Sequence, residues 1–140
     1  MALARVQEET GEAVMNEPIT FIVDGEPVPK QSTRFDGNGH AHTSPRVKAW
    51  QTQVAIRAIE AMRGREPITG PVSMRVVFVL GNHRRVDLDN LNKGVSDALN
   101  GIVYQDDTQV VSLHLVKHVK KQPGICVQVF PGEVLPPFQS

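Results

Sequence analysis

His83-Arg84-Arg85-Val86-Asp87-Leu88-Asp89-Asn90-Leu91-Asn92-Lys93 concentrates the side chains capable of chemistry, and Asp97 and the run Gln105-Asp106-Asp107-Thr108-Gln109 follow it. Asp87 and Asp89 are two apart at the expected exit of a strand. Extended backbone would turn both carboxylates to one side. Carboxylates held that close repel one another unless a cation lies between them. An Asp pair with a third Asp nearby suits Mg2+, whose octahedron is completed by water and substrate phosphate oxygens. No Cys or His cluster accompanies these acids, which argues against zinc. Lys93 follows Asp89 by one helical turn, where its ammonium can neutralise charge building on a pentacovalent phosphorus. Two structural readings of the same residues stay open. Asp87 and Asp89 can serve as anions at a helix N-terminus, worth ~0.3–1 kcal/mol. Lys93 can pair with Asp97 at i,i+4, worth ~0.2–0.5 kcal/mol.

The elements that must position these groups are legible as apolar periodicity. Ile19, Phe21 and Val23 alternate with Thr20, Ile22 and Asp24, which predicts a first strand closed by Asp24-Gly25. Pro27 and Pro29 then hold the chain extended through Lys30. Ser44-Pro45 supplies an N-cap and an N1 proline. Val47, Trp50, Val54, Ala58 and Ala61, widened by Ile59 and Met62, mark the buried stripe of a helix ending near Arg63-Gly64. Val72, Met74, Val76, Phe78 and Leu80 share one face of a second strand, and Val77 and Val79 suggest partial cover on its other face. A second helix is expected over Asn90 to Asn100, closed by Gly101. Gln109, Val111, Leu113, Leu115 and Val119 predict a third strand. Ile125, Val127 and Val129 predict a fourth, joined to the third through Pro123-Gly124 as its antiparallel neighbour. Together these give an α/β fold of mixed α+β type: a single small domain with a mixed sheet of about four strands and two main helices.

Composition sets the outer bounds. A chain of 140 residues, 40% of them hydrophobic, buries roughly 68–70% of its unfolded surface and needs no disulfide or metal to hold a core. A lone cysteine, Cys126, predicts a reducing compartment. The longest apolar run, Val76 to Leu80, is far short of the ~18 residues of a membrane span. Gln7 to Glu12 interrupts any apolar leader, so a cytoplasmic protein without a membrane partner is expected. Residues 1–17 hold four acids against one base and read as a flexible acidic N-terminal extension. The domain proper, residues 18–140, carries 14 bases and 11 acids, a balance of +3. Four of those acids are Asp87, Asp89, Asp106 and Asp107, so bound cations would make the surface more basic toward a polyanion.

The run VDLDNLNKGVSDALNGIVYQDDTQVV, residues 86–111, closely resembles the signature of RusA-type Holliday-junction resolvases: a D-x-D-N-x-x-K block, a D-A-L, a short aromatic-bearing linker and a D-D-x-Q-V block, in that order. The resemblance extends more loosely over residues 19–130 and includes the G-x-P-x-P-K segment from Gly25 to Lys30. It implies a RusA-like endonuclease domain of mixed α/β fold, acting as a homodimer on four-way junction DNA. It implies Mg2+ dependence, with Mn2+ as a substitute, and symmetric paired nicking in DNA recombination and repair. Carried over residue by residue, the catalytic and metal-holding acids are Asp87, Asp89 and Asp107, Lys93 is the essential base, and Asp106 and Asn90 support them. Where some members place an arginine directly before the first acid, this chain has Val86. A less selective nuclease on branched DNA and a non-catalytic DNA-binding accessory protein are the competing readings.

Lys30, Arg34, Arg84 and Arg85 are the basic candidates for phosphate contacts, and Tyr104, on the linker beside the acids, for contact with distorted DNA. Any such phosphate contacts would weaken with salt. The His40-x-His42 pair reads as a polar loop, His114 and His118 as surface residues, and Trp50 as core. The linker Gly101 to Gln105 can span at most ~17 Å. That suffices to bring Asp107 back beside Asp89 within one chain, the arrangement expected here over completion by a partner subunit.

Overall fold

The computed structural model describes residues 17–30, 34–35, 41–42 and 44–137. The acidic extension before Glu17, and His40, lie outside the described residues, and of Arg34 and His42 only the backbone is described. Chain order is β1 (Ile19–Asp24), β2 (Arg34–Phe35), β3 (Ala41–His42), α1 (Pro45–Met62), β4 (Val72–Leu80), α2 (Leu88–Leu99), a 3-10 turn (Asp107–Gln109), β5 (Val110–Val119) and β6 (Gly124–Pro131). β2 and β3 form a separate two-residue antiparallel ribbon.

The main sheet runs β1-β6-β4-β5. β4 pairs parallel with β5 and antiparallel with β6, and β6 pairs antiparallel with β1. Apolar alternation placed the strands but misassigned one neighbour. β5 and β6 are not a hairpin, because β4 lies between them. Residues 120–123 cross the end of β4, where Lys120 donates its N–H to Leu80 (2.9 Å) and Gly25 donates to Pro123 (3.1 Å). Two strand spacings come to about 10 Å, within reach of a four-residue connection.

One face of this sheet is the core. Ile19, Phe21 and Val23 lie beside Val129, Val127 and Ile125, which lie beside Met74, Val76 and Phe78, all buried. Helix α1 covers that face with Val47, Trp50, Val54, Ala58 and Met62, and α2 with Leu91, Val95 and Leu99. Each buried Val, Leu, Ile, Phe or Met among them contributes roughly 1.5–3 kcal/mol by leaving water. Ser44 caps α1 as its type predicts, its hydroxyl accepting from Val47 N–H at 3.3 Å. Ile59, expected to widen the stripe, is exposed. On the opposite face, Ser73 donates to the Gly132 carbonyl (3.0 Å), while buried Arg75 donates to the Pro136 carbonyl and lies 5.6 Å from the Phe130 ring centre. The C-terminal stretch thus covers Ser73 and Arg75, and Val77 and Val79 are half-buried. Among the described residues no helix is long and apolar enough to cross a membrane.

Strand β5 is an edge, and its start is irregular. Val72 pairs with Val110 but Ser73 pairs with Ser112, so Val111 is a bulged extra residue. Leu113 shares the core side with Met74, yet both Val111 and Leu113 are exposed because no helix among the described residues lies over this corner. The uncovered corner is where the acids gather.

Candidate active site

Helix α2 forms one wall. While Leu91, Val95 and Leu99 face the sheet, the four-residue spacing of Asp89, Lys93 and Asp97 puts them on a shared outer stripe. Trp50 fixes the depth of the helix. A Cβ on Gly94 would meet the indole at 3.1 Å and the Val28 carbonyl at 3.8 Å, so only glycine permits this approach without displacement. Gln51 adds a bond from its side-chain amide to the Gly94 carbonyl at 3.2 Å. The proline-bracketed segment grips the same helix. Lys30 donates its backbone N–H to the Asn90 carbonyl (3.0 Å), and its ammonium pairs with Asp97.

The other wall is the linker after α2. Gly101, at φ +77°, reverses the chain, and Ile102 and Val103 both donate to the Leu99 carbonyl. Tyr104 is fully buried and its hydroxyl donates to the Ser96 carbonyl at 3.0 Å. Burial pushes its phenol well above the ordinary value, against a smaller lowering by the Ser96 side chain. Asp106 then caps the 3-10 turn: its carboxylate accepts from the Thr108 hydroxyl and from Thr108 N–H (3.0 Å), contacts that hold its carboxyl below the usual range. Gln109 completes the box. Its side-chain oxygen accepts from Gln105 and Asp106 N–H at 2.8 and 3.0 Å, while its amide donates to Ile68 and Gly70 carbonyls at 2.7 and 2.8 Å. Asp107, in the first turn after this cap, is left to face the cleft.

Between these walls lies an open cleft of about 440 Å³ lined by Asp89, Lys93, Asp97 and Asp107, with Asn92 and Ser96 among them and the start of β5 as its far side. The linker therefore returns Asp107 to the cleft of its own chain. Asn92 is buried; its amide donates to the Ser96 hydroxyl (3.2 Å), and its carbonyl oxygen finds no hydrogen-bond partner among the described residues. Two carboxylates, an unsatisfied amide oxygen and an exposed ammonium make an all-oxygen donor set with a separate cation. Hard divalent ions fit such a set.

The sequence-predicted residues separate on this geometry. Asp89, Lys93 and Asp107 meet at the cleft, but Asp87 does not line it. The expectation that extended backbone turns Asp87 and Asp89 to one side fails because the helix starts between them: Asp87 is the extended N-cap residue and Asp89 already lies in the first turn. Among the described residues no three His, Cys, Asp or Glu side chains stand close enough to form a metal-holding group, so the expected three-acid convergence within one chain is not seen. Asp87 makes no capping hydrogen bond either. Asn90 is half-buried and holds Lys30 through its carbonyl. Asp97 pairs with Lys30, not with Lys93.

Two DNA-contact expectations require correction, and the ammonium of a third candidate, Lys30, is engaged by Asp97. Tyr104 is core, its ring enclosed and its hydroxyl spent within the chain, so no face is offered to a base. Arg84 turns inward as well, donating to the Pro27 carbonyl and pairing with Glu26 at 3.0 Å. Arg85 is exposed. Val86, which takes the place of an arginine, packs against the core and accepts from the Lys117 ammonium at 2.9 Å. Apolar alternation puts Gln109 on a strand face, but it closes the 3-10 turn instead, a role written in its D-x-x-Q spacing from Asp106, a capping-box pattern. Nothing in the sequence marks the buried Asn92 as distinct from Asn90.

A one-sided α+β domain whose uncovered sheet corner holds carboxylates opposite a lysine is suited to work on phosphodiesters with a divalent ion. Comparison with known proteins gives the particular lineage. Residues 24–130 match the family described as Endodeoxyribonuclease RusA. The chain is 34% identical to the uncharacterized protein YqaN of Bacillus subtilis (strain 168), across 79% of this chain and 94% of that one. It is 28% identical to the crossover junction endodeoxyribonuclease RusA of Aquifex aeolicus, across 82% and 93%. It is 34% identical to the protein of the same name from Escherichia coli (strain K12), across 65% and 78%. This chain belongs to the RusA endodeoxyribonuclease family, whose nucleases depend on a divalent metal.

Proposed function

We propose that this protein resolves Holliday junctions, cutting four-way DNA by paired symmetric nicks in recombination and repair. The observation that carries the reading is the meeting of Asp89 and Lys93 from α2 with Asp107 from the linker in one open cleft. Mg2+ is the proposed ion, with Mn2+ as a substitute, and Asp89 and Asp107 are the acids that would hold it. Such an ion supplies Lewis-acid polarisation and an activated water.

The chain's own groups carry the other steps. The Lys93 ammonium, exposed on the cleft wall, stabilises the negative charge that develops on the phosphoryl oxygens as the 3'-oxygen leaves. Arg85 and the exposed Arg46 and Lys48 at the start of α1 track backbone phosphates, with Arg34 as a further contact. Two nicks on opposite strands require two sites related by a two-fold axis, so the acting species is a homodimer. Cytoplasmic DNA is the setting, in keeping with the single cysteine.

Four-way, three-way, flap and linear duplexes incubated with Mg2+ and resolved on denaturing gels test the reading. Paired symmetric nicks confined to four-way DNA are expected. Cutting of every branched form would make it a broader structure-specific nuclease, and binding without nicks an accessory protein.

A further inference from the structure

The cleft holds a third carboxylate, Asp97, four residues beyond Lys93 on the same helix stripe. On an isolated helix that spacing pairs the two side chains. In the folded protein the Asp97 carboxylate is instead taken by Lys30, from a segment 67 residues away in sequence. Lys30 is held where it must be to do this. Pro27, Val28 and Pro29 are buried, the Val28 carbonyl abuts Gly94, and Lys30 N–H is bonded to the Asn90 carbonyl. One residue thus grips α2 at Asn90 and at Asp97, seven residues and about 10 Å apart along the axis. Asp89 lies just before that stretch and Lys93 within it.

Resting on the nuclease reading above, we propose that Lys30 is a positioning residue of the active site: by holding Asp97 it keeps that carboxylate off the Lys93 ammonium, which stays available to the scissile phosphate. Lys30 then acts through Lys93 and touches no DNA. It also removes one of three negative charges from a cleft that must admit a polyanion. Loss of Lys30 harms the protein through the freed Asp97, so removing that charge as well repairs the damage.

The test uses the full-length protein and a synthetic four-way junction, with single-turnover cleavage in Mg2+, junction affinity in EDTA, and thermal melting of every variant. Lys30→Gln is expected to slow cleavage about tenfold or more while changing affinity less than about threefold. Asp97→Asn is expected to cut within about threefold of wild type, and the double variant to return to the Asp97→Asn rate, a coupling that independent residues do not show. Lys30→Arg, which keeps the pair, should cut nearly as wild type and serves if Lys30→Gln is poorly folded. A double variant as slow as Lys30→Gln, a loss carried wholly by affinity, or an inactive Asp97→Asn overturns the proposal. If wild type leaves the junction uncut, the nuclease reading fails on its own. The pairing is then decided by lysine Nζ NMR, where Lys93 should gain a carboxylate partner in Lys30→Gln and in neither wild type nor the double variant.

Discussion

The phenol of Tyr104 donates to the Ser96 carbonyl 3.0 Å away, tying the linker that delivers Asp107 to the helix that carries Asp89 and Lys93. Burial, which raises the phenol above its ordinary value of 10.0, keeps it protonated and donating. Tyr104→Phe keeps the ring and removes the bond, at a cost of ~0.5–1.5 kcal/mol in chemical denaturation. The pH dependence follows from the sign of the shift. The folded state holds this proton more tightly, so the contribution is intact below pH 10 and declines as pH rises above it. The phenylalanine variant should lose that part of the alkaline decline and bind junctions as wild type does. An affinity drop beyond about threefold would mean that the phenol meets DNA after all.

The same residue shows where sequence stops informing. Ile19, Phe21 and Val23 declare a strand face because a period of two survives any environment, and Ser44-Pro45 declares a helix start because capping is local. Tyr104 has no periodic neighbours, and its burial depends on Ile68 and Ser96 arriving from elsewhere. Periodicity likewise reports which way Ile125 and Leu115 point but not what lies between their strands, and so the insertion of β4 between β5 and β6 was invisible. The acids Asp89 and Asp107 and the base Lys93 were legible as types at a spacing. Their meeting depended on Gly101, the capping box and the uncovered edge of β5, which only the assembled fold supplies.

Gln109 joins two separate pieces of backbone, at Gln105 and Asp106 on one side and Ile68 and Gly70 on the other. Gln109→Ala leaves those groups to find water, and each lost bond is worth ~0.5–1.5 kcal/mol. Because the same bonds orient the turn bearing Asp107, cleavage should fall by more than stability alone explains, with junction affinity little changed. Measuring rate and affinity at a temperature where the variant is fully folded checks this. A variant that is unstable yet cuts normally would show that the turn is not held by Gln109.

Arg84 and Arg85 are adjacent but predict opposite signatures. Arg84 is spent on Pro27 and Glu26, so Arg84→Ala should lower the melting temperature by removing that anchor while the salt dependence of junction binding stays as it was. Arg85 is exposed. If it meets a phosphate, Arg85→Ala lowers the slope of log affinity against log salt by ~1 per contacted phosphate and leaves melting unchanged. Affinity titrations across a salt series, beside melting curves, separate the two. An exchanged pattern would put Arg84 on the DNA.

Asp106 and Asp107 are neighbours with different work. The Asp106 carboxylate is engaged by Thr108 and closes the cap, whereas Asp107 lines the cleft with Asp89. Asparagine caps a helix about as well as aspartate, so Asp106→Asn should keep both fold and most of the cutting. Asp107→Asn and Asp89→Asn each remove a charge from the proposed ion's shell and should lower cleavage by at least about a hundredfold. Their junction affinity should hold or rise, because one negative charge has left a surface that meets phosphates. Raising Mg2+ should recover part of the Asp89→Asn rate if the defect is weaker ion binding, and isothermal titration with Mn2+ reads that loss without any DNA present. Equal inactivity of Asp106→Asn and Asp107→Asn in a folded protein would erase the distinction between the two carboxylates, and undiminished Mn2+ binding in Asp89→Asn would remove that residue from the ion's shell.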